Sequence, residues 1–268
     1  MRLPTPTPLR DAETNHVWVI VPFSRPENLT RVVENFGRQK FPFKKLVLVA
    51  NGRARQQLEQ GAFEVPWAEI YTSEAHQSAA KNIALSEIRK RGGGFTVVMD
   101  DDDWYGPQYL TEACGYARTF DVIGKRRHFV SVDGQLWLCS REQRNRAGDD
   151  WLTGGTIACW AETAPEYPPV KWGEDVGFCH TALRRGMKVR GTDLYHYVYR
   201  RDSTTDHAWQ ISAEQLRRTE SEQGALDLGR EDLRIAEGLK LEVEAHRLAL
   251  QEEIDTLPPP QEVSHVRA

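Results

Sequence analysis

No stretch of this 268-residue chain comes near the ~18–20 consecutive apolar residues that a membrane-spanning helix needs. The expectation is a soluble, cytoplasmic protein without a membrane span. Residues 1–15 hold Pro4, Pro6 and Pro8 but no apolar core, so they do not read as a signal peptide. Cysteine is scarce. Cys114, Cys139, Cys159 and Cys179 stand far apart with no Cys-x-x-Cys pair, which argues against a zinc site and for buried free thiols in a reducing compartment. Excess positive charge is missing too. Acidic residues number 39 against 35 Lys and Arg, a net −4, and a general nucleic-acid binder would be basic.

What the chain does have is four consecutive carboxylates, Asp100-Asp101-Asp102-Asp103, directly behind the apolar run Phe95–Met99. That run is short, β-branched and preceded by Gly92-Gly93-Gly94, so it predicts a buried strand. Four acids at its carboxyl end repel one another unless something neutralises them. A divalent cation does so, and carboxylate oxygens are the ligands that Mg²⁺ and Mn²⁺ prefer, usually alongside substrate phosphates. The alternative is a solvated acidic turn.

The rest of the chain supplies a setting. Residues 16–21 predict a strand stopped by Pro22, followed by a helix with Leu29, Val32, Val33 and Phe36 on its buried face. Residues 46–50 form a second strand closed by an Asn51-Gly52 turn, and 68–71 a short third. A helix spans 78–91 with Ala80, Ile83 and Ala84 inward. Strands and helices alternating in this way predict an α/β fold with a mainly parallel sheet. Ligands of such sheets sit at the carboxyl ends of the strands. That rule gathers Pro22 to Arg25, Ala50 to Arg53 and Asp100 to Asp103 around one crevice, with Pro22, Ser24, Arg25, Asn51, Asp100 and Asp101 as candidate ligand-binding residues.

Beyond residue 104 the pattern changes. A helix is expected over 108–120, then strands at 122–123, 128–132 and 135–139 in a smaller antiparallel portion. A polar loop follows at 141–150. An acidic pair, Glu174-Asp175, opens a helix that runs to Arg185, a place where the helix dipole also favours acids as caps. Strands are expected at 187–190 and 194–199, and a basic loop over 200–209. From Ser212 to about Leu257 the chain is charged and helix-forming, with a thin apolar stripe at Ala236, Leu239, Val243 and Leu250. That segment would mediate self-association, giving a homo-oligomer, or pack across the preceding domain. The tail from Pro258 is expected to be disordered. The organisation expected is a lead-in over 1–14, one domain over 15–211 with halves at 15–104 and 105–211, and an extension over 212–268.

These residues carry a family resemblance. Val17–Pro22 with Arg25-Pro26-Glu27-Asn28-Leu29 resembles the opening of GT-A glycosyltransferases of the family 2 type. Ser78–Asn82 resembles its small-residue helix start, Met99–Asp103 its Asp-x-Asp metal motif, and Gly173-Glu174-Asp175 its acidic acceptor-side motif. The four elements occur in the family order over roughly residues 16–210. The resemblance implies a GT-A (Rossmann-like) fold and transfer of a sugar from a nucleotide-diphosphate donor to an acceptor hydroxyl, with inversion and with Mn²⁺ or Mg²⁺. One departure stands out. The second strand ends in Ala50-Asn51-Gly52-Arg53, where the family usually has an acidic turn that contacts the base. Asn51 still offers a donor and an acceptor to a base edge, which suits uracil or another base; a UDP-sugar is the expected donor.

On that resemblance Asp102, Asp100 and Asp103 hold the metal. His207 is a further ligand or an ordinary loop histidine. Arg200 and Arg201 clamp the diphosphate or are surface charge, and Lys81 and Asn82 position the donor or simply start a helix. Asp175 is the base that deprotonates the acceptor, with Glu174 on substrate hydroxyls. Trp151 and Trp172 flank the acceptor motifs and suit the apolar faces of sugar rings, or belong to the core. Gly154 and Gly155 allow close backbone approach or a tight turn. No Gln-x-x-Arg-Trp motif appears, which argues against a processive synthase. Two other functions compete. A sugar-1-phosphate nucleotidyltransferase would need a glycine-rich loop where Pro22–Pro26 stands. A non-catalytic carbohydrate-binding or scaffold protein would have no reason to keep the repelling acids.

Overall fold

The structure, a computed structural model, describes residues 16–132, 135–140, 152–170 and 172–201. The expected loop at 141–150, Trp151, His207, the helical segment after 212 and both termini lie outside the described residues. Two compact units are present. One takes the chain to Arg126 and from Ala147 to Tyr197; the other takes Arg127–Arg146 and the chain from Val198.

The first unit is built on a seven-stranded sheet. In chain order its strands are β1 (Val17–Phe23), β2 (Lys44–Ala50), β3 (Glu69–Thr72), β4 (Phe95–Val98), β6 (Val122–Gly124), β9 (Ala158–Trp160) and β10 (Val189–Gly191). The spatial order is β10-β6-β9-β4-β1-β2-β3. β1 pairs in parallel with both β2 and β4, and β2 with β3. β9 alone runs against its neighbours β4 and β6. Two antiparallel pairings in succession leave β6, and β10 parallel to it, pointing the same way as β4. The carboxyl ends of six strands therefore meet at one edge. Every residue of β1 is buried, as expected for a strand covered on both faces.

The helices are α1 (Leu29–Arg38), α2 (Gly52–Glu59), α3 (Gln77–Lys90), α4 (Tyr109–Tyr116) and α5 (Glu174–Arg184), with a two-residue strand, β5 (Trp104–Tyr105), after the acidic run. The main core joins Trp18, Ile20, Val47 and Val49 to Ala80, Ala84 and Ile88 of α3 and Phe178 and Ala182 of α5. Cys114, Cys159 and Cys179 are buried and free, as their spacing implied.

The sequence reading needs several corrections. β1 runs through Pro22 to Phe23. The Ile20 carbonyl accepts from Met99 N–H, so Ile20 and Pro22 face the β4 side, and Pro22 lies past the end of β4, where no amide donor is required. α2 follows Asn51 directly; with Ala54 its only buried residue it left no apolar period to read. β9, three residues long, was not anticipated. And α1 buries Val32 with Asn35 rather than Leu29, Val33 and Phe36, which are only half-buried.

The second unit contains β7 (Arg127–Val132) and β8 (Gln135–Ser140), an antiparallel pair, and all of β11 (Tyr197–Arg201) but its first residue, Tyr197, which belongs to the first unit; β11 runs parallel to β7 through Val198–Arg201. Of the strands expected in the small antiparallel portion, β7 and β8 form a hairpin, whereas β6 belongs to the main sheet.

Candidate active site

The acidic run turns away from β4 as that strand ends. Asp100, Asp102 and Asp103 each bring a carboxylate oxygen to one place, all within 4.8 Å of one another. Three hard oxygen donors so close fit a small divalent cation. Asp101 points elsewhere. Its Oδ2 accepts from the backbone N–H groups of Ser24 (3.1 Å) and Arg25 (3.3 Å), and its Oδ1 accepts from Asn28 Nδ2 (3.3 Å). It fastens the loop after β1 to the loop after β4.

α1 turns a polar face to this loop. Arg31 donates to the Asp102 carbonyl (3.1 Å), and Asn35 donates to the Asp103 carbonyl (2.9 Å) while accepting from Tyr105 N–H (3.2 Å). Arg25 pairs with Asp102 Oδ2 at 3.0 Å. Two tyrosines complete the frame. Tyr197 donates to Asp103 Oδ2 at 2.6 Å; Tyr105 donates to the Gly155 carbonyl and accepts from Asp100 N–H, both at 2.7 Å. Gln77 Nε2 donates to Asp100 Oδ1 at 3.0 Å.

Crowded charge shows in the proton affinities. Asp100 is pushed up to about 8, by withdrawal from solvent first and then, against the pull of Lys81, by Asp103, Asp102 and Asp101. Asp101 is pushed up to about 6 by burial and by Asp102, with Arg25 opposing. Lys81 is fully buried beneath the site and ion-pairs with Glu174 Oε1 at 3.2 Å. Burial works against its charge, but Glu174, then Asp100 and Asp175, outweigh that and hold it above its ordinary value.

Gly154 and Gly155 run between the two acidic groups. A Cβ on Gly155 would lie 2.5 Å from Asp100 Oδ2, and one on Gly154 would lie 3.3 Å from Asp175 Cβ. Glu174 and Asp175 occupy the first turn of α5, behind Gly173 at φ 77, and Asp175 Oδ1 accepts from Val176 N–H at 2.8 Å. Metal-type acids and a helix-borne acidic pair thus flank the same two residues.

The profile of glycosyl transferase family 2 matches residues 17–184, more than half of the chain. The chain belongs to that family. No curated sequence matches it. Among solved structures it is similar to a mannosyltransferase, PcManGT from Pyrobaculum calidifontis, in complex with GDP-Man and Mn²⁺ (TM-score 0.52, 18% identity, 92% of this chain and 78% of that one). It is also similar to GalNAc-T7 with UDP, GalNAc and Mn²⁺ (0.51, 11%, 77% and 48%) and to S. aureus TarS (0.50, 16%, 69% and 37%). The chain spans little more than a third of TarS and under half of GalNAc-T7. At these identities the likeness shows the GT-A fold. No helix among the described residues is long and apolar enough to cross a membrane.

For this family 2 chain the remaining candidates sort as follows. Asn51 stands at the N-cap of α2 at the end of β2, and its side-chain amide bonds to no described residue. Ser24 and Arg25 spend their backbone N–H groups on Asp101, and Pro22 lies in β1 opposite Val49. Asn82 exchanges two 2.8 Å hydrogen bonds with the Tyr167 backbone, so it anchors the segment before α5. Lys81 faces Glu174. Trp172 is 57% exposed beside Gly173. Arg200 and Arg201 belong to the second unit, where the Arg201 guanidinium lies over the Tyr199 ring. Sequence reasoning missed Asn28, Arg31 and Asn35, whose i, i+3, i+7 spacing is a readable polar stripe on α1. It also missed Gln77, Tyr105 and Tyr197, for which the sequence offers no pattern.

Proposed function

We propose that this glycosyltransferase moves a sugar from a nucleoside-diphosphate donor, UDP-linked, to an acceptor hydroxyl with inversion, and that it requires a divalent cation. The observation that carries the reading is the juxtaposition of the Asp100–Asp102–Asp103 cluster with Asp175 across Gly154-Gly155. Bound to those three aspartates, Mn²⁺ or Mg²⁺ would supply a Lewis acid to the departing diphosphate. Two structural neighbours were solved with Mn²⁺ and a nucleotide or nucleotide sugar, one with GDP-Man and one with UDP.

The chain's own residues account for the remaining steps. The unpartnered Asn51 amide receives the base edge at the end of β2. Arg25 and Arg31 hold the loop of Asp102 in place. Asp175 takes the proton of the acceptor hydroxyl as it attacks the anomeric carbon from the face opposite the diphosphate. Lys81 holds Glu174 fixed beside the base. Trp172, exposed next to this pair, offers a ring face to an acceptor sugar, which makes a carbohydrate the favoured acceptor.

Thermal shift with UDP, GDP and CDP, each with and without Mn²⁺, tests the donor and the metal together. One nucleotide is expected to stabilise the protein only with metal present. Asp102→Ala is expected to lose that response, whereas Asp175→Asn keeps it and loses transfer. No response to any nucleotide would leave the scaffold reading, and equal loss of binding and transfer in Asp175→Asn would remove that residue as the base.

A further inference from the structure

An open groove of about 590 Å³ runs along α4 in the first unit, outside the acidic site. Its volume lies within the ordinary range of ligand pockets, about 300–1,000 Å³. One wall is the stripe Gln108, Glu112, Tyr116 and Phe120, spaced to line a single face of α4 and the turn after it; the other is Asp193 and His196. Its upper end lies at the edge of the sheet that carries the aspartates. Gln108 stands just before α4, five residues beyond Asp103, and Thr192 N–H bonds the Gly124 carbonyl where β6 and β10 end.

Two features of this groove are costly to build. Lys125 is fully buried beneath it, donating to Glu112 Oε1 (2.7 Å), Glu112 Oε2 (2.8 Å) and Asp193 Oδ1 (3.2 Å). A buried lysine held by carboxylates in this way seldom adds net stability over an apolar packing. His196 has φ 61, the left-handed region, the only described non-glycine residue there. Such strain persists only where the surroundings impose it. Here Gly106 N–H bonds the His196 carbonyl at 3.0 Å, and the next residue, Tyr197, is tied to Asp103. The groove wall and the metal-type loop are fastened to one another.

Resting on the glycosyl-transfer reading, we infer that this groove is a second carbohydrate subsite, which holds neutral sugar residues of an extended acceptor away from the reacting hydroxyl. The lining matches that chemistry. Tyr116 and Phe120 bring two rings with centroids 6.4 Å apart, suited to the apolar faces of pyranoses. Glu112, Asp193 and Gln108 offer fixed acceptors, and an amide donor, to hydroxyls. An anionic ligand fits poorly. It would face two carboxylates, the three protons of Lys125 are committed, and Arg190 is engaged over the Phe120 ring.

Gly115 provides the test, because it lines the groove and a Cβ there would meet nothing within 4 Å. Gly115→Trp fills the groove from a helical position that tolerates a side chain, while Gly115→Ala leaves it open. Full-length protein and both variants are titrated with chitotriose, cellotriose, maltotriose and mannotriose by calorimetry and saturation-transfer NMR. The expected result is binding of at least one neutral trisaccharide by the wild type and by Gly115→Ala, weakened about tenfold or more in Gly115→Trp. Failure of every neutral trisaccharide to bind, or equal affinity in Gly115→Trp, overturns the inference. Binding of amine-bearing chitosan trimer alone also overturns it, in favour of a cationic ligand. Nucleotide binding with Mn²⁺ is measured on the same samples. Its loss in all of them would sink the transferase reading, while the trisaccharide titrations still decide the groove.

Discussion

Replacing Gly155 by alanine adds one methyl group and sets it 2.5 Å from Asp100 Oδ2 and 2.7 Å from Asp100 Cγ. Non-bonded heavy atoms settle at about 3.5–4.0 Å, so a displacement of roughly 1 Å is required. Gly155 does not have a positive φ, so the perturbation is steric. Its own backbone cannot give way easily. Its carbonyl accepts from Tyr105, Thr156 N–H bonds the Thr153 carbonyl, and Thr156 Oγ1 accepts from Lys125 N–H. Asp100 must move instead. Overpacking of this kind costs about 1–3 kcal/mol of stability. A shift of about 1 Å in a reacting constellation can cost on the order of a hundredfold in rate. Calorimetry of nucleotide binding with and without Mn²⁺, followed by donor hydrolysis, reads both effects. Gly154→Ala is the control, since its Cβ would lie an ordinary 3.5 Å from Asp175 Oδ2 and only slightly tight, 3.3 Å, against Cβ. The reasoning fails if Gly155→Ala keeps wild-type Mn²⁺ dependence, or if Gly154→Ala loses it as badly.

Three more outcomes follow from the same geometry. Tyr197→Phe removes the 2.6 Å bond to Asp103 and should cost about 1.5–3 kcal/mol in thermal or urea unfolding, the range for hydrogen bonds to charged groups; an unchanged midpoint would show the bond idle. Lys81→Met leaves Glu174 without its buried partner and should cost roughly 3–5 kcal/mol, part of which Glu174→Gln restores; strict additivity in that double-mutant cycle would deny the pairing. Asp100 sits near 8, so between about pH 4 and pH 8 the folded apo protein keeps a proton that the unfolded chain has released, and its contribution to stability falls as pH rises. A cation replaces that proton, so the gain in melting temperature on adding Mn²⁺ should increase from about pH 5 to about pH 8; a flat or falling gain would contradict the assignment.

The main sheet was legible because β1, β2 from Leu46 onward and β4 are nearly continuous apolar runs, and a strand buried on both faces needs no alternation to be recognised. β9 was not, since Ala158-Cys159-Trp160 is too short to show a period, and its direction follows from two partners more than thirty residues earlier in the chain. Within the acidic run the sequence marks the place but not the division of labour. Asp101 differs from its neighbours only through contacts with Ser24, Arg25 and Asn28, over seventy positions earlier in the chain. Asn82 and Lys81 sit side by side at the start of a helix, yet one grips the Tyr167 backbone and the other meets Glu174. Direction around a helix, not residue type, separates them, and a single sequence does not reveal which neighbours each face will meet.

Asp101 carries a practical consequence for anyone dissecting the enzyme by mutagenesis. Alanine at positions 100, 102 or 103 strips an oxygen from the cluster, but alanine at 101 unbuttons two loops and releases two backbone amides and an asparagine. A scan across the run would therefore mix two phenotypes, and the second residue would mimic a dead centre by loosening the scaffold. Activity data from that position should be interpreted only beside a melting curve.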